Sequence, residues 1–214
     1  MGDESTTPSR RREITRNRLL DAAAQVFAEV GLDAASVETV CERAGFTRGA
    51  FYSNFASKEE MFLELAGRVA AERVGVVKAR IAELERQGAF QTVPTDALAM
   101  VEQIIDISNE DRLGVLLMNE IRIHALRSPA LAAAYVAQEV QMRAGVAQII
   151  EDIAAAKGIT FRVPADEAAA LMLMAWESAS VHAVMSGADK AQMTSLTSER
   201  LAAVARLIID SPQS

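Results

Sequence analysis

The stretch from Thr15 to Phe62 constrains the fold more than any other, because it spells out three short helices and the turns that join them. Thr15-Arg16-Asn17-Arg18 opens an amphipathic helix with Leu19, Ala23, Val26, Phe27 and Val30 along one side. Gly31 ends it, since glycine most readily takes the left-handed conformation past a helix terminus. Ser36 caps a second helix, in which Val37, Val40, Cys41 and Ala44 recur at helical spacing. Ala44-Gly45-Phe46 then turns tightly into Thr47, which caps a third segment, Arg48-Gly49-Ala50-Phe51-Tyr52-Ser53-Asn54-Phe55. Phe51 and Phe55, one turn apart, share a face that anchors this segment inward. Tyr52 points elsewhere, with a hydroxyl suited to a phosphate oxygen. Ser57-Lys58-Glu59-Glu60 reads as a capping box that opens a further helix, with Glu60 reaching back. A helix, a short helix, a glycine turn and a second short helix make a helix-turn-helix unit. Arg48 to Phe55 is its recognition helix, with Arg48 and Gly49 in the turn that reaches base edges.

An acidic chain, net −7, is an unexpected carrier for such a unit until the charge is divided. From Ser9 to Lys58 eight basic residues face six acidic ones, a local balance of +2, whereas Met61 onward carries −5. The basic set is Arg10, Arg11, Arg12, Arg16, Arg18, Arg43, Arg48 and Lys58, gathered where phosphate neutralisation requires it. Residues 1–9 read as a disordered polar tail, although Met1-Gly2-Asp3-Glu4-Ser5-Thr6 also matches a loose myristoylation pattern. Arg10-Arg11-Arg12 reads as an arm on the DNA backbone or minor groove, with a solvated tail as the alternative. A single Cys allows no internal disulfide and suits a reducing cytoplasm. The N-terminus shows no apolar signal region, and no stretch reads as a membrane span of about 18 apolar residues.

The rest of the chain, 50% hydrophobic overall and Ala-rich, reads as a larger all-helical domain over residues 58–214, after a DNA-binding domain at 10–57. Lys58 to about Arg86 is one long helix, and others are expected from Pro94 to Asn109 and from Asp111 to Leu126. Ser128-Pro129 caps a helix that Gly158 closes, Pro164 opens another to about Met185, and the last runs from about Thr197 to Ile209. Leu201, Val204, Ala205 and Ile208 form an apolar stripe on that last helix, either packed within the monomer or facing a second copy. Enzyme chemistry finds no support. His124 and His182 are the two imidazoles, and neither a phosphate loop nor a nucleophile elbow occurs. Glu120 and His124, spaced i to i+4, are expected to line a ligand cavity. A shared metal, with His182 added, is the less favoured reading because zinc sites use three or four protein ligands. Trp176, Met172 and Tyr135 are further candidates for that cavity, with core or dimer interface as the alternative for Trp176 and its Met neighbours. Cys41 is expected in the core, where it would not act as a redox sensor.

Over Thr15 to about Phe62 the sequence resembles the TetR (or AcrR-like) family of transcriptional regulators. The resemblance rests on Ala22-Ala23, Phe27, Gly31, Ser36-Val37, Val40, Ala44-Gly45, Thr47-Arg48-Gly49, Phe51-Tyr52, Phe55 and Ser57-Lys58-Glu59. Two positions depart from the family's habit. Ala35 stands where a Thr hydroxyl is common, and Asn54 where a His is common. The resemblance implies a ligand-responsive repressor, without cofactor, that binds a palindromic operator as a homodimer. Its dimer would be a four-helix bundle made from the last two helices of each protomer. Arg10, Arg11, Arg12, Arg16, Ser36, Thr47, Arg48, Gly49, Tyr52, Asn54 and Lys58 would then face double-stranded DNA. An activator, a ligand-independent regulator of the same fold, or a helical binding protein that no longer reads DNA are the alternatives.

Overall fold

The computed structural model describes residues 6–86 and 112–210. The helix expected from Pro94 to Asn109 lies outside them. Eight helices are described: α1 (Thr6–Val30), α2 (Val37–Ala44), α3 (Arg48–Tyr52), α4 (Lys58–Arg86), α5 (Arg112–Arg127), α6 (Pro129–Lys157), α7 (Ala165–Met185) and α8 (Lys190–Ile208). Two two-residue strands, β1 (Thr160–Phe161) and β2 (Ile209–Asp210), pair antiparallel with Phe161 opposite Ile209. The all-helical expectation thus holds but for this small clasp, which joins the end of α8 to the loop after α6.

The chain divides into two compact units. The first contains Met1–Val69 and Leu116–Tyr135, the second Ala70–Val115 and Val136–Ser214. The boundary therefore falls inside α4, and the second unit begins at Ala70, twelve residues beyond the Lys58 start expected for the second domain. Most of α5 also belongs with the N-terminal unit. Its apolar side chains explain this: Leu117, Ile121 and Ala125 recur at i, i+4 and i+8 and join the buried core of Leu19, Ala23, Phe27, Phe51, Phe55 and Phe62. Phe27 meets Phe62 edge-to-face at 5.4 Å between ring centroids, a preferred aromatic geometry.

α1 begins nine residues earlier than the sequence reading placed it, so Arg10-Arg11-Arg12 lies on a helix and not in a tail. Pro8 permits this, since the first turn of a helix has no use for its missing N–H. Val30, expected on the inward stripe, is half exposed at the last turn. Gly31 (φ 80°) and Gly45 (φ 71°) are left-handed, as the turns after α1 and α2 require.

In the second unit, Leu201, Ala205 and Ile208 pack with Ala147, Ile150, Ala168 and Ala169 from α6 and α7. This corrects the alternative that gave Leu201 and Ile208 to a dimer seam: both are buried inside their own protomer. α8 also starts seven residues before the expected Thr197, where Asp189 and Gln192 form a full capping box. Among the described residues α7 is long and apolar enough to cross a membrane by length and composition alone. Here Ala168, Ala169, Ala179, Ser180 and Ala183 are buried within the fold.

Candidate nucleic-acid interface

The recognition segment is a five-residue helix held from both ends. Thr47 caps it, its hydroxyl accepting the Ala50 N–H at 3.3 Å. At the other end Asn54 Nδ2 donates to the Ala50 carbonyl at 2.8 Å. Phe51 is fully buried and packs on Phe55, with ring centroids 5.7 Å apart. With that face inward, Arg48, Gly49 and Tyr52 are exposed on the other. No Cβ at Gly49 would meet anything nearer than the Thr47 Oγ1 at 3.7 Å, so that position is open toward solvent.

Arg48 is the most exposed charge of this face, its side chain 61% accessible. Its guanidinium pairs with Glu38 in the first turn of α2 at 2.6 Å and lies 5.9 Å from the Tyr52 ring centroid. A hydrogen bond with Tyr52, and then the charge of Glu38, hold Arg48 above its ordinary pKa, so it is a permanent cation. Glu38 escaped the sequence reading because no spacing rule joins residues on different helices. Ser36 caps α2, accepting the Thr39 N–H at 3.0 Å, and its hydroxyl is 2.8 Å from that of Thr39. Thr39 is thus an exposed hydroxyl beside the half-buried Ser36, one turn into α2.

Several residues expected at the interface serve the fold. Arg16 donates from Nε to Glu64 at 2.8 Å, bonds the Asn54 carbonyl, and stacks 4.3 Å over the Phe55 ring. Asn54 is buried and spends its amide on the end of α3, so its side chain is withdrawn from solvent. Lys58 Nζ donates to three carbonyls, Leu32 at 2.9 Å, Asp33 at 3.3 Å and Ala35 at 3.2 Å, so its ammonium stitches the loop between α1 and α2. Next to it, Ser57 caps α4 as expected, but Glu60 reaches the Ala56 N–H and not that of Ser57. Arg10, Arg11 and Arg12 are exposed on α1, and Arg12 Nη2 reaches the Ser53 carbonyl at 3.2 Å. The N-terminal turns of α1 are thereby tied to the end of the recognition helix.

The ligand candidates fall in both units. Glu120, His124 and Tyr135 belong to the first and Met172 and Trp176 to the second. Glu120 and His124 are bonded at 3.0 Å, and their further contacts lie in the first unit, with the turn after α1 and with α4. Glu120 accepts the Leu32 N–H at 2.6 Å, and the His124 ring meets Phe62 edge-to-face at 5.4 Å. The physical reason is the placement of Ile121 and Ala125: once these pack on the N-terminal core, neighbouring positions of α5 face it too. The Tyr135 hydroxyl accepts from Arg122 Nε at 3.0 Å. Met172 and Trp176 pack, half-buried, against the cluster around Ala168 and Leu201. Among the described residues no three His, Cys, Asp or Glu side chains gather as a metal site would require.

Residues 19–65 match the sequence profile of the bacterial regulatory proteins of the tetR family. The chain is similar to the transcriptional regulator UidR of Escherichia coli K12, 28% identical over 142 residues, which cover 64% of this chain and 65% of that protein. It is also similar to the transcriptional repressor AcnR of Corynebacterium diphtheriae, 35% identical over 88 residues, or 41% of this chain and 42% of that one. A solved TetR-family regulator of Mesorhizobium loti superposes with a TM-score of 0.71 over 92% of this chain and 98% of its own, at 18% identity, a likeness of fold. The fold, the capped and presented α3 and the matched profile show a tetR-type helix-turn-helix domain over residues 19–65, in a chain that resembles TetR/AcrR-like regulators.

Proposed function

We propose that this protein is a transcriptional repressor that binds a palindromic operator as a homodimer and is released by a small-molecule effector. The observation that carries the DNA-binding part is the two-faced recognition helix, with Phe51 fully buried and Arg48, Gly49 and Tyr52 presented. Arg48 reads base edges, while Thr47, Tyr52, Ser36 and the neighbouring Thr39 supply hydroxyls to phosphates. Arg10 and Arg11 add phosphate contacts from α1, and Arg12 orients that helix against Ser53. A five-residue helix sees only a few base pairs, so two copies set about 34–36 Å apart are needed to read an operator. The exposed apolar rows of α7 (Leu171, Met174, Met185) and α8 (Leu196, Leu207) support a two-fold contact through these helices. Release by an effector is the reading the family suggests, with Met172 and Trp176 as candidate contacts in the second unit. Work on DNA and a lone, buried thiol agree with a cytoplasmic protein.

The test is enrichment of duplexes from a random pool by the full-length protein, followed by binding at graded salt. The expected result is a two-fold symmetric consensus whose affinity falls steeply with salt, by close to one unit of logarithmic slope per phosphate contact. No enrichment, or binding without salt dependence, would overturn the DNA-binding reading.

A further inference from the structure

The corner between α1 and α2 is fastened by a helix that lies far from it in sequence. Where a helix ends at a left-handed glycine, the following N–H commonly turns back to the helix's own carbonyls. Here Gly31 N–H bonds the Phe27 carbonyl at 2.9 Å. The N–H of Leu32, a buried residue, instead leaves the helix and donates to Glu120 Oε1 on α5 at 2.6 Å, across 88 residues of chain. The carboxylate approaches so closely that a Cβ on Gly31 would stand 3.1 Å from that same oxygen. His124 Nε2, one turn along, lies 3.0 Å from Oε1, and its ring is set against Phe62 of α4. Glu120 is therefore aimed, with its neighbour packed in place.

The rest of the corner is fixed around that bond. Lys58 gathers the carbonyls of Leu32, Asp33 and Ala35, and the Ala35 N–H returns to the Gly31 carbonyl at 3.1 Å. Arg127, also on α5, is 3.6 Å from the Asp33 carboxylate. Ser36, the cap of α2, follows at once. The main-chain N–H of buried Leu32 thus takes its acceptor from α5, and it stands directly before the helix-turn-helix.

We propose that Glu120 is a positioning residue for DNA reading: its carboxylate, supplied from α5, sets the Gly31–Ser36 corner and through it the placement of α2 against DNA. The proposal rests on the DNA-binding reading above. A charge-assisted bond to a buried N–H restricts the corner, and loss of the acceptor leaves a donor that must find water or move.

The experiment compares Glu120→Gln, Glu120→Asp and Glu120→Ala in the full-length protein by two measurements. The first is hydrogen exchange of the Leu32 amide without DNA. The second is affinity at fixed salt for a duplex that the wild type enriches from a random pool. Gln keeps an acceptor at the same reach without the charge, so Glu120→Gln should lie between wild type and Glu120→Asp in both. Asp keeps the charge but withdraws it by one methylene. Glu120→Asp and Glu120→Ala should exchange Leu32 about ten- to a hundred-fold faster, the range expected for losing a bond to a charged partner. Both should bind the duplex about ten-fold more weakly. If Glu120→Ala fails to fold, the Asp and Gln variants decide between themselves. Unchanged Leu32 exchange in Glu120→Asp would remove the bond, and faster exchange with wild-type affinity would remove its consequence for DNA. A Gln variant as weak as the Asp variant would trace the effect to charge instead of the bond, and so also overturns the proposal. A wild type that enriches no duplex would instead bring down the DNA-binding reading itself.

Discussion

On the proposed DNA-reading face, Arg48 is both exposed and already oriented. Glu38 and Tyr52 hold its guanidinium by groups that DNA can replace, since a surface ion pair contributes only ~0–1 kcal/mol. Exchange of Glu38 for a guanine edge is therefore not costly, and Arg48→Ala should lower selectivity by about 1–3 kcal/mol. The measurement is affinity for the enriched duplex against a scrambled one. An equal loss on both would reduce Arg48 to a phosphate contact. Cys41 shows the opposite case, a reactive residue type made inert. Burial, and secondarily the charge of Glu38, push its thiol pKa up, so at neutral pH it holds less thiolate than a free cysteine. Its Sγ also points at the Thr47 carbonyl, 3.6 Å away. Native protein should resist alkylation by iodoacetamide near pH 7 and react only once unfolded. Rapid labelling of the folded state would contradict that assignment.

At the scale of elements, α1 is longer than its apolar stripe and extends the basic face. Arg10 and Arg11 stand exposed on it, so the double variant Arg10→Ala/Arg11→Ala should flatten log K against log salt by about one unit per lost phosphate contact. An unchanged slope would make these two arginines a solvated face. Element ends marked by local chemistry were legible in the sequence. Gly31, Gly45 and Gly158 close helices with positive φ, Ser36 and Thr47 cap as read, and Ser128-Pro129 opens α6. The start of α8 is equally written in Asp189-x-x-Gln192, a capping box that lies ahead of the helix's apolar stripe. Long-range partners were not legible. Lys58 sits at a helix start, where a cation reads as a phosphate ligand, yet its ammonium is taken by carbonyls 23–26 residues back. Glu120 and His124 were legible as a pair, since i and i+4 side chains meet. Which core they face depended on where Ile121 packs, and no local pattern encodes that.

For the whole molecule, the second unit separates the residues that hold one protomer together from those available to a second copy. Leu201 and Ile208 belong to the former, buried with Ala168 and Ala169. Met174 (66% exposed) and Leu207 (70%) belong to the latter, on the outward rows of α7 and α8. Met174 shares its row with Leu171 and Met185, and Leu207 shares its row with Leu196, at spacings that keep each set on one side of its helix. A carboxylate placed at either outward site faces solvent in an isolated protomer and costs little. In a two-fold contact it is desolvated and opposed by its own symmetry copy. The double variant Met174→Glu/Leu207→Glu should therefore keep its helical spectrum as a monomer while losing its dimer. Operator binding should fall with it, because one recognition helix alone reads too few base pairs. Leu201→Glu should behave differently and unfold the second unit, since it puts an unpaired carboxylate where only 5% of the side chain reaches solvent. Sedimentation and circular dichroism on the two variants distinguish these outcomes. A dimer that survives Met174→Glu/Leu207→Glu would move the contact away from these rows, and a folded, monomeric Leu201→Glu would return the seam to the inner stripe.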